Sequence, residues 1–179
     1  MTNLYEFSIL AVGVNHEAHD FEDRFVEAGC DDATISFQRG VILLDFARRA
    51  SSFQEALVSA IGNVQETGAR IRGVEPSNLV TLAEIARRAK MTRAAISNYF
   101  AGTRGTNFPL PVDRVMTDSP VWSWAEVAVW LHERERLDED QVIAARLIAE
   151  ANAVFHVPAE PKCRELIDVA DISDAAQAA

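Results

Sequence analysis

The alternation of apolar and polar positions divides the first 75 residues into four strands and two helices. Residues 4–14 (LYEFSILAVGV) are mostly apolar and rich in β-forming types, which predicts a strand. Asn15 can cap a helix over HEAHDFEDRFVEAG, where Ala18, Phe21, Phe25, Val26 and Ala28 approximate one apolar face and Gly29 is placed to end it. ATISFQ and VILLDFARR flank the turn pair Arg39-Gly40 and read as a hairpin. Ser52 and Glu55 form an S-x-x-E capping box that opens the helix SFQEALVSAIGNVQETG. Phe53, Ala56, Leu57, Ala60, Ile61 and Val64 recur along it at helical spacing, and Gly68 closes it. ARIRGVE is a short strand ended by Pro76.

The resulting order, β-α-β-β-α-β, is the split βαβ or ferredoxin-like plan. The term refers to topology, because no cysteine cluster for an iron–sulfur centre accompanies it. Right-handed crossovers place both helices on one face of a four-stranded sheet, so the other face is left polar or is covered by a partner. Dimerisation and ligand sensing are both common uses of such a domain, and topology does not choose between them.

After the linker Pro76-Ser77-Asn78 the texture changes to short helices. In VTLAEIARRAKMTRAAISNYF (80–100), Thr81 and Glu84 make a capping box for a helix with Leu82, Ile85, Ala86 and Ala89 on one face. Thr92 caps a second helix whose inward face is Ala95, Ile96, Tyr99 and Phe100. The turn Ala89-Lys90-Met91 separates them, which is the pattern of a helix-turn-helix.

The net charge of −10 opposes nucleic-acid binding on average, but its distribution does not. Residues 1–76 and 137–179 each carry −6, whereas 77–136 carry +2 and 81–114 carry +4. A polyanion docks where the local potential is positive. The two cysteines, Cys30 and Cys163, are far apart and suit reduced thiols. No apolar run approaches the ~20 residues that span a bilayer, and the N-terminus lacks the basic region of a signal peptide. A cytoplasmic location without membrane association is expected.

Residues 80–100 resemble the headpiece of lactose-repressor-type regulators, aligning without a gap. Downstream, NFPLPV (107–112) and VWSWAEVAVWL (121–131) resemble the AlpA, excisionase-like regulators of the MerR superfamily. In that family the helix-turn-helix is followed by a wing with an F-P-x-P segment and then by W-x-x-x-E-V-x-x-W-L. Phe108, Pro109, Pro111, Trp122 or Trp124, Glu126, Val127, Trp130 and Leu131 fill the pattern. The resemblance covers about 50 residues and implies a winged helix-turn-helix. One departure concerns Lys90, which stands where glycine is usual and must accept a positive φ at some cost.

If the second helix enters the major groove, Thr92, Arg93, Ala94, Ser97 and Asn98 meet the bases. Arg93 suits guanine, Asn98 suits adenine, and Ala94 offers contact only to a thymine methyl. Arg87, Arg88, Lys90 and Arg104 are placed for phosphates, and Thr81 is a further candidate DNA-binding residue. The tryptophans could be base-stacking platforms, yet Trp124, Val127, Ala128 and Leu131 recur at helical intervals behind Ser123–Glu126, which argues for core packing.

His16, His19, Asp20 and Asp23 have a helical spacing compatible with zinc but lack a further Cys or His partner, so a solvated helix start is favoured. No G-x-S-x-G, Walker loop or G-x-G-x-x-G occurs, and neither an enzyme nor a cofactor is expected. A helix near 138–154, capped by Asp138 and Gln141, offers Val142, Ala145, Leu147, Ile148 and Ala149 as apolar surface, and an acidic tail follows.

The expected fold is α+β, comprising a ferredoxin-like domain (1–76), a winged helix-turn-helix (77–136), and a C-terminal helix with tail (137–179). The expected function is a sequence-specific regulator, a repressor of transcription, that binds double-stranded DNA as a homo-oligomer. The alternative is an antitoxin, an interaction protein whose acidic C-terminal region covers a cognate partner and which represses its own operon.

Overall fold

The computed structural model describes residues 2–156 and has a mixed α+β architecture with a four-stranded antiparallel sheet. The chain runs β1 (Asn3–Val12), α1 (Phe21–Glu27), β2 (Ala33–Gln38), β3 (Val41–Ala50), α2 (Phe53–Glu66) and β4 (Arg70–Glu75). It continues with β5 (Leu79–Val80), α3 (Leu82–Arg88), α4 (Arg93–Phe100), β6 (Trp122–Ser123), α5 (Trp124–His132) and α6 (Glu139–Phe155). The acidic stretch 157–179, where the partner-binding tail was expected, lies outside the described residues.

The large sheet has the order β2-β3-β1-β4. Phe7, Ile9 and Ala11 of β1 pair with Phe46, Leu44 and Ile42 of β3, so alternate residues of both strands share one face. That face is buried with Phe25 of α1 and Ala56, Leu57, Ala60 and Val64 of α2. Each fully buried large apolar side chain there contributes about 1.5–3 kcal/mol. The opposite face exposes Glu6, Asp45, Ala47 and Arg49, with Leu10 and Leu43 half-buried.

Arg48, on the core side of β3, is 8% exposed and is held from every side. Its Nε and Nη2 donate to both carboxylate oxygens of Asp32 at 2.8 Å. Nη1 donates to Ser59 and Asn63, and Nη2 donates also to the Gly29 carbonyl. A buried cation is tolerated because its donors are met.

Three expectations need correction here. The first helix begins at Phe21, not after Asn15, whose side chain accepts from Glu17 N in a preceding turn. The stretch HEAHD supplies no large apolar side chain to bury, so helix starts only where Phe21 and Phe25 reach the core. Val26 is 51% exposed and does not belong to that face. The helical spacing imagined for His16 and His19 therefore does not exist, and the His16 ring stacks on Phe37 instead, with centroids 3.6 Å apart.

A second core gathers Ile85, Ile96, Tyr99, Trp122, Val127, Trp130 and Leu131. Helix α6 serves both cores, with Val142 and Ala145 buried in the second and Ile148 in the first. The short β5 pairs with β6 and brings the segment before α3 against the start of α5. Asn78, in the expected linker, accepts from Trp124 N at 2.7 Å through its carbonyl and from Ala125 N at 2.9 Å through Oδ1. Those are first-turn donors of α5 that otherwise lack an intrahelical acceptor.

Candidate nucleic-acid interface

Both short helices after residue 80 start at a threonine. Thr81 Oγ1 accepts from Glu84 N, and the Glu84 carboxylate accepts in return from Thr81 N. Thr92 Oγ1 accepts from Ala95 N at 3.1 Å. Helices of seven and eight residues depend on such caps, because nucleation is costly at this length. Between them Lys90 adopts φ of +52°, the left-handed conformation that its position requires. Met91 N then donates to the Ala86 carbonyl at 2.8 Å, closing α3.

Ile85, Ala86, Ala89, Ile96 and Tyr99 face inward, while Thr92, Arg93, Ala94 and Asn98 face solvent and Ser97 is half-buried. Phe100, expected inside, is 45% exposed and lies edge-on to Trp122 at 5.2 Å. Among the described residues the side chains of Arg93 and Lys90 enter no hydrogen bond or ion pair, so their charges are available to a ligand. Arg104 is exposed and its guanidinium stands 5.2 Å from the Tyr99 ring centroid, which ties the loop after α4 to the helix. Arg87 is exposed as well.

Two residues expected at the DNA are engaged elsewhere. Thr81 is half-buried in its capping box. Arg88 turns inward, donates from Nη2 to the Ser77 carbonyl at 2.9 Å, and lies over Trp124 at 5.3 Å. Burial holds its pKa below the ordinary arginine value, the charge of Arg87 acts in the same direction, and Glu84 and Glu75 oppose it.

The segment after α4 folds back as a narrow hairpin-like arm. Val112 N donates to Val121 O at 2.8 Å, and Val121 N returns a bond to Asp113 O at 3.0 Å. Phe108 packs with its ring centroid 5.0 Å from Trp130 and 6.4 Å from Trp122. The indole of Trp122 donates to Pro109 O at 3.0 Å, and that of Trp130 donates to Thr106 O at 3.2 Å. All three tryptophans are buried and none forms a stacking surface, with Trp122 and Trp130 under the arm and Trp124 against Arg88. At the tip Arg114 has φ of +53° and is exposed, beside Val115 and Met116. Sequence reasoning missed Arg114 as a site residue. Its only signal was its position at the end of the basic span.

The exposed cations Arg87, Lys90, Arg93, Arg104 and Arg114 thus come from α3, the turn, α4, the following loop and the arm. Among the described residues no group of three or more His, Cys, Asp or Glu side chains could hold a metal ion. No helix among them is long and apolar enough to cross a membrane. No protein-family model, curated protein or solved structure matches this chain.

Proposed function

We propose that the chain is a sequence-specific transcriptional regulator, a repressor in the cytoplasm, that binds double-stranded DNA as a homo-oligomer. In this reading residues 81–131 act as a winged helix-turn-helix of the AlpA type within the MerR superfamily. Helix α4 is the recognition helix, and the 107–121 arm is the wing. Residues 3–75 act as a ferredoxin-like module that joins copies through the face carrying Leu10 and Leu43.

The observation that carries the reading is the pair α3–α4 closed by Lys90 at φ of +52°, with Arg93 and Ala94 at the start of α4 turned to solvent and the Arg93 side chain without a hydrogen bond or ion pair among the described residues. A non-glycine residue in that conformation costs on the order of 1 kcal/mol, and it is retained where the turn between two capped helices needs it. The local charge of +4 over 81–114 supports the same face. Oligomerisation follows from the small reach of one headpiece, since two half-sites multiply discrimination.

The test is electrophoretic mobility shift against the promoter region of the protein's own gene. A retarded band that persists under excess random duplex is expected. No retardation at micromolar protein, or equal competition by random duplex, overturns the reading.

A further inference from the structure

Where α3, α5 and α6 meet the 76–78 segment there is a cavity of about 240 Å³, lined by Arg88, Trp124, Gln141, Ala144, Ala145 and Ile148 among others. Its wall is apolar apart from a few groups, and the chief of these is the Arg88 guanidinium. Arg88 Nε and Nη1 are buried and have no hydrogen-bond partner among the described residues. No carboxylate among them lies within ion-pair distance of Arg88. Arg48, the other inward arginine, has all three nitrogens satisfied and a bidentate carboxylate. Buried donors are ordinarily paired, and a guanidinium left half-paired is costly.

A second cavity, of about 210 Å³, shares Arg88 and Gln141 with the first and is lined also by Lys90 and Arg136. Its acidic members are Glu135 and Asp138, both exposed. Arg88 therefore stands at the boundary of an apolar recess and a polar one. An anionic head and an apolar body fit that division. The volume is below the ~300–1,000 Å³ of drug-sized sites, so the occupant is small.

We propose that this cavity binds a small organic carboxylate with a flat apolar body, its carboxylate on the Arg88 guanidinium and its body against Trp124, Ala144, Ala145 and Ile148. A planar carboxylate matches the guanidinium fork, which a neutral amide cannot replace in charge. Because α6 also carries Ile148 into the sheet core, the ligand ties α3 to both cores. Such a ligand is an effector of whatever α3 and α4 bind. That last step alone rests on the DNA reading.

The test uses the full chain and benzoate as probe, with benzamide as the uncharged control, followed by the arginine Nε–H and tryptophan indole N–H resonances in nitrogen-resolved NMR. Benzoate should shift the Arg88 and Trp124 signals saturably, with a Kd of about 1 mM or tighter, and benzamide should bind at least about tenfold more weakly. Ala144→Leu fills the recess while keeping the guanidinium, and Arg88→Gln removes the charge while keeping the recess. Each should weaken benzoate at least about tenfold, in variants whose remaining spectrum is that of the wild type. The proposal is overturned if benzamide matches benzoate, if Ala144→Leu binds as well as the wild type, or if no saturable shift occurs by about 10 mM. None of these arms involves DNA, so they stand whether or not the DNA reading does. Benzoate-saturated protein should then differ from free protein in operator affinity, and an unchanged affinity overturns the effector role alone.

Discussion

Asn152 on α6 makes both of its side-chain hydrogen bonds to the same residue, Val74 on β4. Its Oδ1 accepts from Val74 N at 2.7 Å and its Nδ2 donates to Val74 O at 2.9 Å. Strand β4 is at the edge of the sheet, so these are backbone groups that no neighbouring strand pairs. The amide side chain imitates the missing strand at one residue. Gly73 permits the approach, since a Cβ there would stand 3.0 Å from Asn152 Oδ1.

Replacing Asn152 with Leu should therefore destabilise the fold by about 2–3 kcal/mol, because it leaves a buried N–H and C=O unpaired. Asn152→Asp keeps the acceptor but sets a carboxylate oxygen against the Val74 carbonyl, and should cost at least as much. Urea unfolding monitored by circular dichroism measures both. A loss under about 0.5 kcal/mol for Asn152→Leu would mean that the edge is satisfied by water instead.

Phe108 should be the residue on which the arm depends. Phe108→Ala removes the ring that separates Trp122 from Trp130 and should destabilise by about 2–3 kcal/mol. Both indoles gain water, so native-state tryptophan emission should shift to longer wavelength. Phe108→Leu should retain most of the stability. If emission does not move in the alanine variant, the arm is held by its hydrogen bonds to Trp122 and Trp130 and not by the ring.

Cys30 sets an alkaline limit. Burial pushes its thiol up to about 11, against the pull of the nearby Arg48 guanidinium. The native state holds the proton where the unfolded chain, with an ordinary thiol near ~8.5, has released it. Stability from this source is complete below the unfolded value and is lost as pH rises towards 11. The full loss is on the order of 3 kcal/mol. Unfolding free energies measured between pH 8 and 11 should fall more steeply for the wild type than for Cys30→Ala. Equal slopes would remove Cys30 as the cause. Alkylation at neutral pH, mapped by mass spectrometry, should leave Cys30 unmodified until denaturant is added.

The four strands of the large sheet were legible because a half-buried strand must alternate, and Phe7-Ile9-Ala11 against Phe46-Leu44-Ile42 does so without exception, whereas the two-residue strands β5 and β6 are too short to show a period. The caps at Ser52, Thr81, Thr92 and Ser123 were legible because a short hydroxyl side chain before an apolar run has one common use. What the residues hid was tertiary. Adjacent Arg87 and Arg88 look alike as letters, yet Arg88 follows Ile85 by three and so shares its inward face. The same spacing rule puts Asn152 four residues after Ile148, on the stripe that meets the sheet. Both positions were discoverable from periodicity, but their partners, Ser77 and Val74, were not.

On the proposed DNA face, a residue that reads a base and one that only positions the protein should respond differently to substitution. Arg93 is the first residue of α4, its side chain is exposed and enters no hydrogen bond or ion pair among the described residues, and it is the only long basic side chain on that helix. Arg93→Ala should cost about 1–3 kcal/mol on the specific site and relax preference at one base pair. Lys90 sits in the turn, where its φ of +52° favours glycine, so Lys90→Gly removes the charge without straining the backbone. That variant should weaken all duplexes alike and reduce the salt dependence by about one unit of slope. Arg88→Ala, whose guanidinium is turned inward, should leave the salt slope unchanged. The acidic residues on either side of the basic span should keep non-specific affinity low, and the contrast between operator and random duplex should then be wide. Titrations on both duplexes at two salt concentrations decide it. If Arg93→Ala loses the same factor on operator and random DNA, Arg93 positions the protein and does not read a base. If neither Arg93→Ala nor Lys90→Gly loses affinity, α3 and α4 are a packing unit and the protein acts through another surface.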